Sequence, residues 1–173
     1  MPFTPFHMGP ALAVKALAGR YFSVLTFGIA QVAMDIEPLV GMIRGAEVLH
    51  GWSHTYLGAL VIAGTVVPIS PAICRPILRR WNQELSHYRL GRLASAESFS
   101  SLAVVTGALV GTLSHVALDS IMHSDMRPFA PIAESNGLLH SISIAELHLS
   151  CVGAGIIGIA VWLLVGLLRR GRE

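Results

Sequence analysis

Apolar residues run along this chain in blocks long enough to cross a bilayer, separated by short polar intervals. About 20 apolar residues in a helix span the hydrocarbon core. Three stretches have that length: His54 to Cys74, Phe99 to Met122 and Leu147 to Leu168. A fourth, Tyr21 to Ile43, is as long but contains Asp35 and Glu37. Pro5 to Ala18 is also apolar apart from Lys15. At about 1.5 Å per residue it would reach only about 20 Å. Gly19-Arg20 suits a tight turn into the next helix, so the first third predicts a helical hairpin with one short arm. The expected fold is all-α: one membrane-embedded domain over 1–173, with about four spanning helices plus the short N-terminal helix.

Composition agrees with the pattern. Hydrophobic residues make up 53% of the chain and charged ones 13%, against about 25% charged in a soluble domain. Mean hydropathy is +0.64. Such a surface cannot all face water. The net charge of +2, with no basic patch carrying interleaved aromatics, argues against a nucleic-acid partner. Cys74 and Cys151 lie in apolar runs and read as small buried residues, not as a disulfide framework. The start MPFTPFHMGP lacks the positive region and cleavage site of a secretory signal, so it reads as part of the mature protein.

Charge orients the helices. Lys15 and Arg20 lie at the hairpin turn. Arg75, Arg79, Arg80, Arg89 and Arg92 fill the next connection on that side, and Arg169, Arg170 and Arg172 follow the last helix. The positive-inside rule places all three groups in the cytoplasm. Residues 82–98 then form a cytoplasmic loop in an inner-membrane protein, and the connections 44–53 and 123–146 face outward. GALVIAG and GALVG carry small residues that permit close helix packing, within the chain or between copies.

On this frame the ionisable residues gather at one level. His7 lies about 20 Å above the hairpin turn on one arm and Asp35 about 22 Å above it on the other. His50 and His54 open the next helix; His115 and Asp119 close the one after, followed by His123 and Asp125. His50 and His54, His115 and Asp119, and Asp119 and His123 are each four apart, a spacing that shares a helix face. Imidazole and carboxylate together suit zinc or a similar divalent ion. The candidate ligands are His7, Asp35, His54, His115 and Asp119, with His50 a weaker one. Simpler roles stay open for individual residues. Asp35 can pair with Arg44 or cap a kink near Pro38, His87 reads as a surface residue, and His140 and His148 are undecided. An Asp–His proton relay without metal is the rival for the whole group.

An early His, an Asp closing a first apolar helix, the His of SHT opening the next, and H-x-x-x-D in SHVALDSIMH resemble the YdjM-like family of inner-membrane metal-dependent hydrolases. The resemblance covers most of the chain, from MPFTPFH through SHVALDSIMHSDMRPFAP. HGWSHT departs by one residue in His spacing from the H-R-G-x-T-H form of some members. The ligand order is also similar to that of zinc-dependent phospholipase C, although the later H-x-x-x-E pair of those enzymes has no counterpart here. The resemblance implies one or two ions and metal-assisted hydrolysis of a phosphoester, with a membrane lipid or amphiphilic small molecule as substrate. Asp125 or His123 would act as general base or support a ligand, and Arg127 would hold a phosphate or anchor the chain at the interface. A proton or metal-ion transporter and a metal-stapled scaffold without catalysis are the other classes.

Overall fold

Prolines, glycines and hydroxyl caps decide where each helix begins and ends. The computed structural model describes residues 5–91 and 94–170, so Arg92 and Arg172 lie outside the described residues. The first long element is α1 (Gly9–Ala18), entered through a 3-10 turn at Pro5–Met8, with proline in its first turn. Proline suits that position because its missing N–H would have no helical partner there. Gly19 has φ 53, left-handed backbone that favours glycine. Lys15 Nζ donates to the carbonyls of Gly19 and Phe22, each at 2.9 Å, and closes the helix end.

The apolar stretch after the turn is two helices, α2 (Val24–Met34) and α3 (Ile36–Arg44), where the pattern suggests one. Pro38 lacks the N–H that would reach the carbonyl of Met34, so the chain breaks at Asp35. Together they still form one span over Val24–Arg44. Thr55 caps α4 (Tyr56–His87) by accepting from Gly58 N at 2.9 Å. Ser100 does the same for α5 (Ser101–Met122) through Ala103 N at 3.1 Å. The last helix is α6 (Ile144–Arg170). The described residues form an all-helical bundle with four helices long and apolar enough to cross a membrane.

Three expectations need correction. The arginine-rich segment does not become a loop at 82: α4 continues to His87 despite Pro68, Pro71 and Pro76. Prolines are tolerated in membrane helices when neighbours satisfy the freed carbonyls. Asn82 then binds back to Ser95, and Arg79 pairs with Glu97, so residues 94–97 fold against the end of α4. Next, His50 and His54 do not share a helix, because α4 starts only at Tyr56 and Trp52–His54 is a 3-10 turn. Last, the short hairpin arm packs on more than its partner. Met8, Ala11, Val14 and Ala18 pack with Phe22, Val24 and Phe27, while the backbone of α1 lies against α6.

Small residues set both sets of packing. Ala30, Ala63, Val66 and Ala108 join α2, α4 and α5 in one buried cluster. Gly107 and Gly111 of GALVG lie against the backbone of α2 around Ser23 and Phe27, so that stretch packs within the chain. Gly64 of GALVIAG meets open space. Gly9, Gly155 and Gly158 bring α1 and α6 into backbone contact. Cys74 and Cys151 are buried free thiols.

A Cβ at Gly158 would fall on the backbone of Leu12 and Ala13, whereas one at Gly153 meets nothing. Gly158→Ala should therefore lower the melting temperature in detergent, at a cost of about 1–3 kcal/mol for overpacking. Gly153→Ala should leave it unchanged or slightly raised. Equal melting of the two variants would refute the α1–α6 contact.

Candidate metal centre

Five side chains from four parts of the chain converge at the end of the bundle opposite the arginines. His7 comes from the turn before α1, Asp35 from the α2–α3 break, His54 from the turn before α4, and His115 and Asp119 from consecutive turns of α5. All five are buried. Asp119 is the hub. Its Oδ1 lies 3.6 Å from His7 Nε2, and its Oδ2 lies 3.5 Å from His54 Nε2 and 3.2 Å from His115 Nε2. Asp35 Oδ1 is 3.5 Å from the same His115 nitrogen. Ligand atoms of Asp35, His54, His115 and Asp119 all lie within 4.8 Å of one another.

The hydrogen-bond network assigns the tautomers. Gln31 Nε2 donates to Gly111 O at 3.0 Å, which turns its Oε1 toward His115 Nδ1 at 2.6 Å. An amide oxygen only accepts, so the His115 Nδ1 carries a proton, and in the neutral ring Nε2 is left as a bare lone pair. Ser53 gives its single proton to Glu37 Oε2, which also accepts from Ser53 N at 2.8 Å. Ser53 Oγ is then the acceptor for His54 Nδ1 at 2.8 Å, and His54 Nε2 is bare as well. The Nε2 atoms of His7, His54 and His115 are buried without a hydrogen-bond partner.

Lone pairs facing carboxylate oxygens inside an apolar bundle repel, and unpaired buried polar groups cost several kcal/mol. A proton on one ring would relieve one contact and leave the other rings facing the same carboxylate. A single cation among Asp35, His54, His115 and Asp119 relieves the contacts of that group together; His7, on the other oxygen of Asp119, lies outside it. Zinc bonds of about 2.0–2.2 Å place neighbouring tetrahedral ligands about 3.4 Å apart, which matches the separations of 3.2–3.6 Å around Asp119. The residues present therefore fit a divalent ion. Gln31 and the Ser53–Glu37 pair orient the rings from behind, as partners of metal-bound histidines do. Gln31 sits one turn before Asp35, which is the only trace of its role in the sequence.

Burial favours the neutral form of two of the rings. Burial pushes the His7 imidazole down to about 4, and burial also lowers His54. Both rings are neutral at pH 7, the form that binds metal.

A second group adjoins the first. His50 Nδ1 lies 2.8 Å from Asp125 Oδ1, and the His123 ring stacks on His50 with centroids 4.2 Å apart. His123 is the extended residue that ends α5, with φ −114 and ψ 123. It therefore does not share a helical face with Asp119, as the four-residue spacing suggests, and turns toward His50. Arg127 is exposed and donates to Glu134 at 2.6 Å; no contact to either cluster exists among the described residues. His140 is exposed with φ 54. His148 stacks on Phe6 at 4.4 Å, with a buried Nε2 that lacks a partner. His87 is exposed beside Tyr88.

A family model described as Domain of unknown function (DUF4184) matches residues 1–170. The chain belongs to the DUF4184 family. No curated protein and no solved structure matches it. That family description carries no activity, so the side chains are the guide to what this DUF4184 chain does.

Two outcomes follow. Gln31→Leu frees His115 Nδ1 and should weaken zinc binding about 10–100-fold, read by competition with a coloured chelator; unchanged affinity would mean Gln31 does not orient the ring. The metal-stripped protein should also lose stability as pH falls from about 6.5 toward 4. In that window the unfolded chain takes up protons that buried His7 and His54 refuse. Melting curves from pH 7 to 4 should show a shallower loss in His7→Gln, and an identical loss would count against a buried neutral His7.

Proposed function

We propose that this protein is a membrane-embedded, divalent-metal-dependent hydrolase, with zinc the ion its donor set favours and a phosphoester of a lipid or other amphiphile as substrate. The carrying observation is the convergence of the bare Nε2 atoms of His54 and His115, with that of His7, on the Asp119 carboxylate. A divalent ion held there supplies Lewis acidity toward a phosphoryl oxygen and acidifies water. The YdjM-like and phospholipase C resemblance points to the same chemistry.

The position of the cluster supports an amphiphilic substrate. It lies where α5 ends and α4 begins, beside the 45–55 connection, so a head group reaches it from the polar side while its tail stays among the helices. Lys15, Arg20, Arg75, Arg79, Arg80 and Arg89 mark the opposite end, which supports a cytoplasmic placement for that end and an outward-facing site in an inner membrane. His123 and Asp125, at the rim, are placed to accept or relay a proton. Arg127 would serve a phosphate only by leaving Glu134.

Transport is the weaker alternative. Among the described residues the buried acidic and imidazole side chains are His7, Asp35, His50, His54, His115 and Asp119. Farther along the bundle, buried polar contacts such as Thr26 with Ser70 involve hydroxyls, and Cys74 and Cys151 are buried thiols. Among the described residues no buried carboxylate or imidazole continues to the arginine end.

The test combines metal content and turnover of the detergent-purified protein. The wild type should retain zinc and release phosphate or a phosphorylated head group from lipid phosphoesters. His54→Ala and Asp119→Ala should lose both, with activity down at least about 100-fold. Full metal content in both variants would remove the site. Bound zinc with no turnover of any lipid phosphoester would leave a structural ion.

A further inference from the structure

The buried four-residue cluster can fill a tetrahedral ion by itself: Asp35, His54, His115 and Asp119 each offer one ligand atom within 4.8 Å of the others. Four protein ligands make a closed site, whereas a reactive ion keeps a position open. The adjoining cluster has the complementary shape. His50, His123 and Asp125 also offer one ligand atom each within 4.8 Å. They number three, and they are more exposed than the first group.

We propose that His50, His123 and Asp125 bind a second divalent cation beside the first, with the His50 ring lying between it and the Asp119 carboxylate. The proposal rests on the metal-dependent reading above and deepens it: the outer cation is the one with a free position for water or a phosphoryl oxygen. The inner ion holds the helices and the Asp119 carboxylate.

The local backbone prepares each ligand. Asp125 Oδ2 accepts from the backbone N–H groups of Leu49 and His50, at 3.0 and 3.1 Å, which leaves Oδ1 aimed at the His50 ring. The end of α5 delivers His123, whose N–H bonds the Asp119 carbonyl at 2.9 Å while its ring lies at 26° to that of His50. Two near-parallel imidazoles and one carboxylate thus bring one ligand atom each within 4.8 Å of the others.

The two clusters also touch. His50 Nε2 lies 4.0 Å from Asp119 Oδ2, and the His50 and His54 rings are 4.9 Å apart. The His50–Asp125 separation of 2.8 Å is that of a hydrogen bond. When a cation takes up Nδ1, the single proton of the neutral ring moves to Nε2, on the Asp119 side, and the pair opens by about 0.6 Å toward the tetrahedral edge of about 3.4 Å.

The experiment is a zinc titration of the metal-stripped full chain in detergent, followed by Mn(II) loading and electron paramagnetic resonance. The wild type should bind two equivalents and show a Mn(II) pair coupled through space. His123→Ala and, separately, Asp125→Asn should each bind one and lose the coupling, while melting curves confirm that they fold. Asp125→Asn retains the size of the side chain, so it reports even where the alanine variant misfolds. One equivalent in the wild type, unchanged in both variants, overturns the second site and leaves the inner one standing. Two equivalents retained in both variants overturn it as well. No zinc in the wild type overturns this inference together with the proposed hydrolase.

Discussion

The structure depends on one constraint: a carboxylate and several imidazole lone pairs share a small volume inside a bundle with little water. Asp119 faces His7, His54 and His115 at 3.2–3.6 Å. Each group alone would be costly to bury, and with bare nitrogens turned toward it the carboxylate is costlier still. A divalent cation among Asp35, His54, His115 and Asp119 would reverse the sign of the contacts within that group and tie together the elements that carry them.

Groups that do not face the centre serve it from behind. Gln31 and Ser53 each receive a ring N–H, and Glu37 fixes Ser53 in turn. Asp125 gathers the backbone of Leu49 and His50, which pins the connection before α4 to the end of α5. The loops around the site are thus ordered by carboxylates, although the rest of the bundle is ordered by close contact of alanine and glycine. The two modes meet at Ala59, Met34, Val116 and Met126, a buried apolar cluster that brings together α2, α4, α5 and the segment after it.

The arrangement of α1 has a related cause. A helix of ten residues cannot cross a bilayer core of about 30 Å. It is held in place by Gly9, Gly155 and Gly158, which let its backbone approach that of α6. That contact carries the preceding turn, and His7 with it, to the hub carboxylate. Much of α6, including Ile156, Ile157 and Leu163, remains exposed, as lipid-facing residues of a spanning helix are.

By itself the sequence determined the helical, membrane-spanning class, because long apolar runs with few charges have only one economical backbone in hydrocarbon. It also determined that His7, Asp35, His54, His115 and Asp119 would reach one level, since helix rise converts residue number directly into height. Tertiary structure decided what height cannot express. Pro38 splits the second apolar stretch, α4 runs past 82 to His87, and α1 takes α6 as its partner. Residues 50–54 lie outside any α-helix, so His50 reaches the site through Asp125 and not through its spacing from His54. Gln31 and Glu37 were invisible as partners because a hydrogen bond between residues far apart in sequence leaves no periodic trace. Rotation about the helix axis and loop conformation set those contacts, and both are fixed only when the helices pack.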